Sequence, residues 1–96
     1  METSFDVGHA SHALGAMAHA HRLLILELLL EREWSVGTLA VRVGLRQATL
    51  SQHLAKLRVA GVVQYRREAQ TVLYSCRSDF VVRIMDALKK TSMRRC

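Results

Sequence analysis

Apolar positions recur along this chain at intervals that change from segment to segment, and the sharpest pattern lies in Leu45–Arg58. Leu50, Leu54 and Leu57 are spaced by four and three, which stacks them on one side of a helix. Ala48, Ser51, Gln52, Ala55, Lys56 and Val59 fall toward the other side, which is small and polar except for Val59. Upstream, Val7, Ala10, Leu14 and Met17 mark one face of a first helix over Phe5–Ala18, favoured by its alanines and weakened by Gly8 and Gly15. His19–Arg22 reads as a corner. Leu23–Arg32 is apolar nearly all round, as expected of a helix at the centre of a small core, and Glu31-Arg32-Glu33 ends it in solvent. Trp34-Ser35 leaves room only for a brief extended link. A short third helix, Val36–Val43, turns Val36, Leu39, Ala40 and Val43 inward, with Ser35 as its N-cap and Gly44 as its stop. The polar-faced helix begins two residues later. A short helix, a glycine turn and a polar-faced helix in that order predict a helix-turn-helix.

Gly61 ends the long helix. Val62–Arg67 and Thr71–Ser75 are rich in β-formers and are joined by Glu68-Ala69-Gln70, which predicts a hairpin with Arg66, Arg67 and Gln70 about its tip. Ser78 or Asp79 can cap a last helix reaching about Ser92. Its apolar face of Phe80, Val81, Ile84, Met85 and Leu88 is too broad for a lone terminal helix to leave in water. A three-helix core closed by the hairpin leaves the first and last helices for a second copy. Ala10, Leu14 and Met17, with the five residues of the last helix, are the expected dimer contacts. The predicted fold class is therefore mainly α (α+β). It is a winged helix-turn-helix of about five helices and a two-stranded β-hairpin wing, one domain over residues 1–96, dimeric through its first and last helices.

Composition narrows the partners. A chain of 96 residues buries only about 60–65% of its unfolded surface, so self-association helps it. Half of the residues are hydrophobic, which excludes a disordered chain. The longest apolar run, Leu23–Leu30, is broken by Glu27 and falls short of the ~18 residues of a membrane span. The first residues lack a basic stretch of the signal-peptide kind, and two cysteines make no disulfide framework, so a reducing cytoplasm is expected. The net charge is +6 and uneven: four Arg against five acids give −1 in residues 1–48, and ten Lys/Arg against three acids give +7 in residues 49–96. A basic half beside a near-neutral half fits a polyanion met in one orientation, and double-stranded DNA suits it. No enzyme is expected: Ser51 and His53, two apart on one helix, point away from each other, and no phosphate loop or HExxH occurs.

Four segments, HAHRLLILELL, WSVGTLAVRVGL, QATLSQHLAKLRVAGVV and RREAQTVLYS, resemble the ArsR/SmtB family of bacterial winged-helix repressors over about Leu14–Leu88. The resemblance implies a homodimer that represses by occupying an inverted-repeat operator. It also implies that Gln47, Thr49, Ser51 and Gln52 face the DNA groove. Gln52 is the foremost base reader, because its amide can serve both a donor and an acceptor on adenine. Gln47 and Thr49 lie in the first turn and point sideways on a helical wheel, toward phosphate. Lys56 and Arg58 are phosphate candidates, and Arg66, Arg67 and Gln70 are those of the wing. His53 sits sideways, as a core or interface histidine does. The chain departs from the family in two places. Ala20 stands where the family has proline between its first two helices, and Arg46 stands where it has the serine that caps the recognition helix. Arginine cannot accept the N–H bond, which costs roughly 1 kcal/mol, though Arg46 can reach a phosphate.

The sensor sites of relatives find no match here. Glu33–Gly37 carries no thiolate, the last helix has Asp79 and Asp86 but no histidine, and Glu27 and Met93 occupy the places of the persulfide-sensing cysteines. No metal or cofactor is expected. Two alternatives stay open. One is a thiol response through Cys76 and Cys96, which a helix would hold roughly 20 Å apart, beyond the about 7 Å that a disulfide within one chain spans. The other is a metal response through His9 and His12, three apart on one helix face with His19 nearby. A winged-helix module that binds protein instead of DNA is the rival reading, and the basic wing argues against it.

Overall fold

The computed structural model describes residues 5–91. Five helices and three short strands follow in the order α1 (Val7–Met17), α2 (Ala20–Glu31), β1 (Trp34–Ser35), α3 (Val36–Val43), α4 (Gln47–Val59), β2 (Gln64–Glu68), β3 (Thr71–Ser75) and α5 (Asp79–Lys90). Local chemistry explains most of the boundaries. Asp6, Ser35 and Ser78 cap α1, α3 and α5 by accepting the backbone N–H groups of His9, Thr38 and Val81. Gly44 takes the left-handed conformation, φ 76°, after α3. Its N–H reaches Ala40 O, and the Leu45 N–H closes on the same oxygen at 3.0 Å, so the last carbonyls of α3 are satisfied as the chain turns into α4.

Helix α2 starts three residues earlier than the periodicity suggested. Ala20 is its first residue, and His19 Nδ1 accepts the His21 N–H. A proline fits that first helical position because its missing N–H has no helical partner to lose, and alanine fills it equally well. The chain bends by 98° between α1 and α2. Among the described residues no single helix is long and apolar enough to cross a membrane.

The wing is larger than a hairpin. β1 pairs antiparallel with β3, Trp34 opposite Tyr74 and Ser35 opposite Leu73, so the sheet has three strands in the order β1-β3-β2. The extended link at Trp34-Ser35 is therefore an edge strand, anchored by Trp34 Nε1–H donating to Leu28 O at 3.0 Å and by the Arg32 guanidinium 3.7 Å above the indole. Glu68 pairs with Thr71, which leaves only Ala69 and Gln70 as the turn, and Ala69 has φ 57°. A two-residue hairpin turn needs positive φ at its first central residue, where glycine is usual and alanine is strained. Val62 and Val63 precede the strand and are buried in the core.

Ile25, Leu26 and Leu29 of α2, Leu39 of α3 and Leu50, Leu54 and Leu57 of α4 form the centre of the core. The first and last helices contribute to it as well. Met17, Val81 and Met85 are buried within a single chain, at 2%, 0% and 7% exposure. These three of the expected dimer contacts are thus covered by the chain's own core and leave little surface for a partner. On the first and last helices the apolar surface left for a partner includes Leu14, exposed to 44%, the half-buried Ala10, Phe80, Ile84 and Leu88, and two further exposed residues, Val7 and Val82. A groove of about 420 Å³ runs between the start of α1 and the start of α5, floored by Ala10, Ala13, Val62 and Phe80. The expected end of the last helix near Ser92, and Cys96, lie outside the described residues.

Candidate nucleic-acid interface

Helix α4 shows how a simple repeat makes a binding surface. Leu50, Leu54 and Leu57 point into the core at 0–1% exposure, which fixes the helix in rotation. Gln47, Ala48, Thr49, Ser51, Gln52, Lys56, Arg58 and Val59 are then all exposed. The ridge so presented is flat and rich in hydrogen-bonding groups, and the short Ala48 and Ser51 allow close approach of a groove floor. Arg46 occupies the N-cap position with ψ 148° and gives the helix no side-chain capping bond. The first N–H groups of α4 are thus left to an outside acceptor such as a phosphate oxygen.

Beside this ridge stands the wing. Strand alternation sorts its residues: Tyr65 and Arg67 of β2 face α4, whereas Arg66 and Glu68 face away. Gln47, Ser51 and Arg58 on one wall, with Tyr65, Arg67 and Gln70 on the other, enclose a groove of about 570 Å³. Arg58 is steadied there, with its guanidinium 5.4 Å from the Tyr65 ring centre and Nη1 donating to the Tyr74 hydroxyl at 3.5 Å. Arg66 has another task. Its Nε and Nη2 donate to the two carboxylate oxygens of Glu33 at 2.7 and 2.9 Å, and Nη1 donates to Glu68 at 3.2 Å. The two adjacent wing arginines, equivalent by sequence, are therefore separated by parity: Arg67 belongs to the groove, and Arg66 clamps the wing to the segment after α2. The Arg66 guanidinium in turn holds the Glu33 carboxyl below its ordinary pKa.

Charge pairing divides the basic half in the same way. Arg83 pairs with Asp79, Lys89 with Glu27 and Lys90 with Asp86. Among the described residues Arg42, Arg46, Lys56, Arg58 and Arg67 enter no ion pair with a carboxylate. Five of the eight described cations without such a pair therefore belong to the helix-turn-helix and the inner side of the wing; Arg22, Arg32 and Arg77 are the other three. Arg94 and Arg95 lie outside the described residues.

Two sequence alternatives change in the light of these positions. The Cys76 thiol is buried, donates to Val62 O at 3.2 Å and is pushed up in pKa by that burial, the setting of an inert cysteine. His9 and His12 join no group of three metal-ligating side chains among the described residues. His53, read from the sequence as an inward or interface residue, is half-buried at the corner of α1 and α2, where its Nδ1 accepts from Arg22 Nε at 3.1 Å. Burial, then the nearby His19, Arg22, His21 and Lys56, hold its pKa below the usual histidine value. Sequence reasoning passed over Tyr65, whose place opposite α4 is announced by its spacing of two from Arg67. It also passed over the meeting of His53 with His19 and His21, for which the sequence gives no signal.

Residues 19–65 match the bacterial regulatory protein, arsR family. The chain is 52% identical over 83 residues to the nodulation protein NolR of Rhizobium meliloti, covering 86% of this chain and 68% of that protein. The crystal structure of NolR from Sinorhizobium fredii superposes with a TM-score of 0.86 at 43% identity, covering 99% of this chain and all of the other. The homodimeric winged helix-turn-helix DNA-binding domain of Mb0332 from Mycobacterium bovis gives a TM-score of 0.82 at 27% identity, over 96% of this chain and 90% of that one. With its recognition ridge, its wing and the cations between them, the chain belongs to the arsR family of bacterial regulatory proteins, as a winged helix-turn-helix DNA-binding transcriptional regulator.

Proposed function

We propose that the protein acts as a homodimeric repressor on an inverted-repeat DNA operator, excluding other proteins from the site it occupies. In each protomer α4 lies in a major groove. Gln52 reads a base edge, Ser51 contributes a second polar contact, and Gln47 and Thr49 meet the backbone where the helix enters. Lys56, Arg58 and Arg46 hold phosphates. Arg67 and Gln70 of the wing reach the flanking backbone, while Arg66 keeps the wing upright. The observation that carries this reading is the meeting of the outward polar ridge of α4 with the inner side of the wing: Arg58 and Arg67, neither paired with a carboxylate among the described residues, line one groove with Gln47, Ser51 and Gln70.

The homodimeric state of the Mb0332 domain supports a dimer here, as do the exposed Val7, Leu14 and Val82 on the two helices that flank the apolar groove. Two copies related by a twofold axis would offer α4 to successive grooves, one turn or about 34 Å apart. Selection of bound duplexes from random DNA tests the whole reading. The expected product is a palindrome with half-site centres about one helical turn, 10 base pairs, apart. Recovery of no common sequence, or a monomer in dilute solution that binds a single half-site as well as the full repeat, overturns it.

A further inference from the structure

We propose that His19, His21 and His53 form a binding site for a borderline divalent cation of the Zn²⁺ class, joining the start of α2 to the recognition helix. Each of the three side chains offers a ring nitrogen, and these nitrogens all lie within 4.8 Å of one another. The ring centres form a compact triangle with sides of 4.8, 5.6 and 5.7 Å. No carboxylate or thiolate joins the set, so its chemistry is that of imidazole alone, which suits Zn²⁺, Ni²⁺ or Co²⁺ and not Mg²⁺ or Ca²⁺. Nitrogen–zinc distances of about 2.0–2.1 Å place tetrahedral ligand atoms about 3.4 Å apart. The nitrogens therefore need to close by little more than an ångström; His19 and His21 are exposed, and of the two His19 is held by the bond that caps α2. Three imidazoles would leave the fourth position to water.

The same geometry sets what the cation must displace. His53 Nδ1 accepts from Arg22 Nε at 3.1 Å, and His19 Nδ1 accepts from the His21 N–H, also at 3.1 Å. A neutral imidazole accepting at Nδ1 carries its proton on Nε2. Ligation through Nε2 moves that proton to Nδ1, where it meets a donor; ligation through Nδ1 displaces the donor outright. On either route the cation and the Arg22–His53 hydrogen bond exclude each other. Arg22 also donates to Ala16 O at 3.2 Å, at the end of α1, so the bond that the cation breaks, between α2 and α4, is one arm of a bridge that Arg22 makes from α1 to α4. Zinc and Arg22 thus compete for the recognition helix.

Zn²⁺ titration of the full chain, with a chromophoric chelator as competitor and Co²⁺ absorption as the coordination probe, tests the site. The expected result is one ion per protomer with the spectrum of a tetrahedral complex. The double variant His19→Gln/His21→Gln, with folding verified by circular dichroism because His19 caps α2, should weaken binding by about 10-fold or more. His9→Gln/His12→Gln should leave it unchanged. Arg22→Gln, with folding verified by circular dichroism, should tighten it, because the competitor is gone. Binding that survives the His19/His21 variant, or that is lost in the His9/His12 variant, overturns the site. An Arg22 variant that folds but binds no more tightly overturns the competition, and a poorly folded one is replaced by Arg22→Lys with the same expected direction.

Discussion

Helices α4 and α5 look alike as sequences, each about a dozen residues long with an apolar face and a basic one. Their surroundings differ. The three cations of α5 each have a carboxylate within 3.2 Å, two of them on the helix itself. Lys56 and Arg58 of α4 have none among the described residues, and α4 contains no acid. Exposed ion pairs contribute little to stability, yet they cancel the field that a polyanion would feel. The lesson is that basic residues mark a nucleic-acid surface only where nothing nearby neutralises them. The inner faces differ too: α4 is locked by three fully buried leucines, whereas α5 sinks Val81 and Met85 and leaves Phe80, Ile84 and Leu88 at the rim.

The sharpest break in this comparison comes from the inner face of α4. Leu54 is 1% exposed, and Leu54→Ala should cost about 2–5 kcal/mol of unfolding free energy through lost transfer energy and a residual cavity. Leu88→Ala on α5 should cost clearly less, because its side chain is only half-buried within the protomer. Urea titrations of the two variants decide it. Equal losses would mean that α5 is as deeply embedded as α4, and its rim would no longer be free for a partner.

The outer face follows. Gln52→Ala should weaken binding to the selected operator by about 1–3 kcal/mol and leave binding to unrelated duplex nearly unchanged. Fluorescence anisotropy on both duplexes measures the split. Equal losses on the two would assign Gln52 to the backbone and move base reading elsewhere on the ridge.

Much of this arrangement was legible before any coordinates. The leucine spacing of α4, the Ser35 cap and the Gly44 stop are local patterns, and the structure follows them closely because each is settled within one or two turns of helix. What escaped was decided by contacts distant in sequence. Trp34-Ser35 became a strand only because β3 passes beside it. Met17, Val81 and Met85 have the right periodicity for an interface, but periodicity marks an apolar face without saying whether the same chain or another covers it. The role of Arg66 depended on Glu33, thirty-three positions away, although strand parity alone distinguishes it from Arg67.

Salt dependence tests the charge comparison directly. Each phosphate contact removed lowers the slope of log K against log salt by about 1. Lys56→Ala and Arg67→Ala should each show that drop, on operator and unrelated duplex alike. Arg83→Ala and Lys90→Ala on α5 should leave the slope where it is. A drop from the α5 variants would show that carboxylate pairing does not screen those cations from DNA.

The smallest effect concerns the clamp on the wing. Arg66 holds the Glu33 carboxyl below its ordinary pKa, first by hydrogen bonding and also by charge. A carboxyl whose folded pKa is depressed stabilises the fold above its unfolded value, about 4.3, and loses that contribution as the pH falls through the folded value. Wild type should therefore melt slightly above Glu33→Gln at pH 7, with the gap closing in acid below pH about 4 as Glu33 takes up its proton and becomes as neutral as the glutamine. The pair is solvent-accessible, so the gap is small and narrows with added salt. The same variant leaves Arg66 only its weaker tie to Glu68, without altering Arg67. Because β2 turns Arg66 away from α4, its salt slope on operator DNA should match that of wild type. A slope steeper by about 1 would mean that the freed guanidinium reaches phosphate, and that Glu33 rather than strand parity keeps it from the DNA.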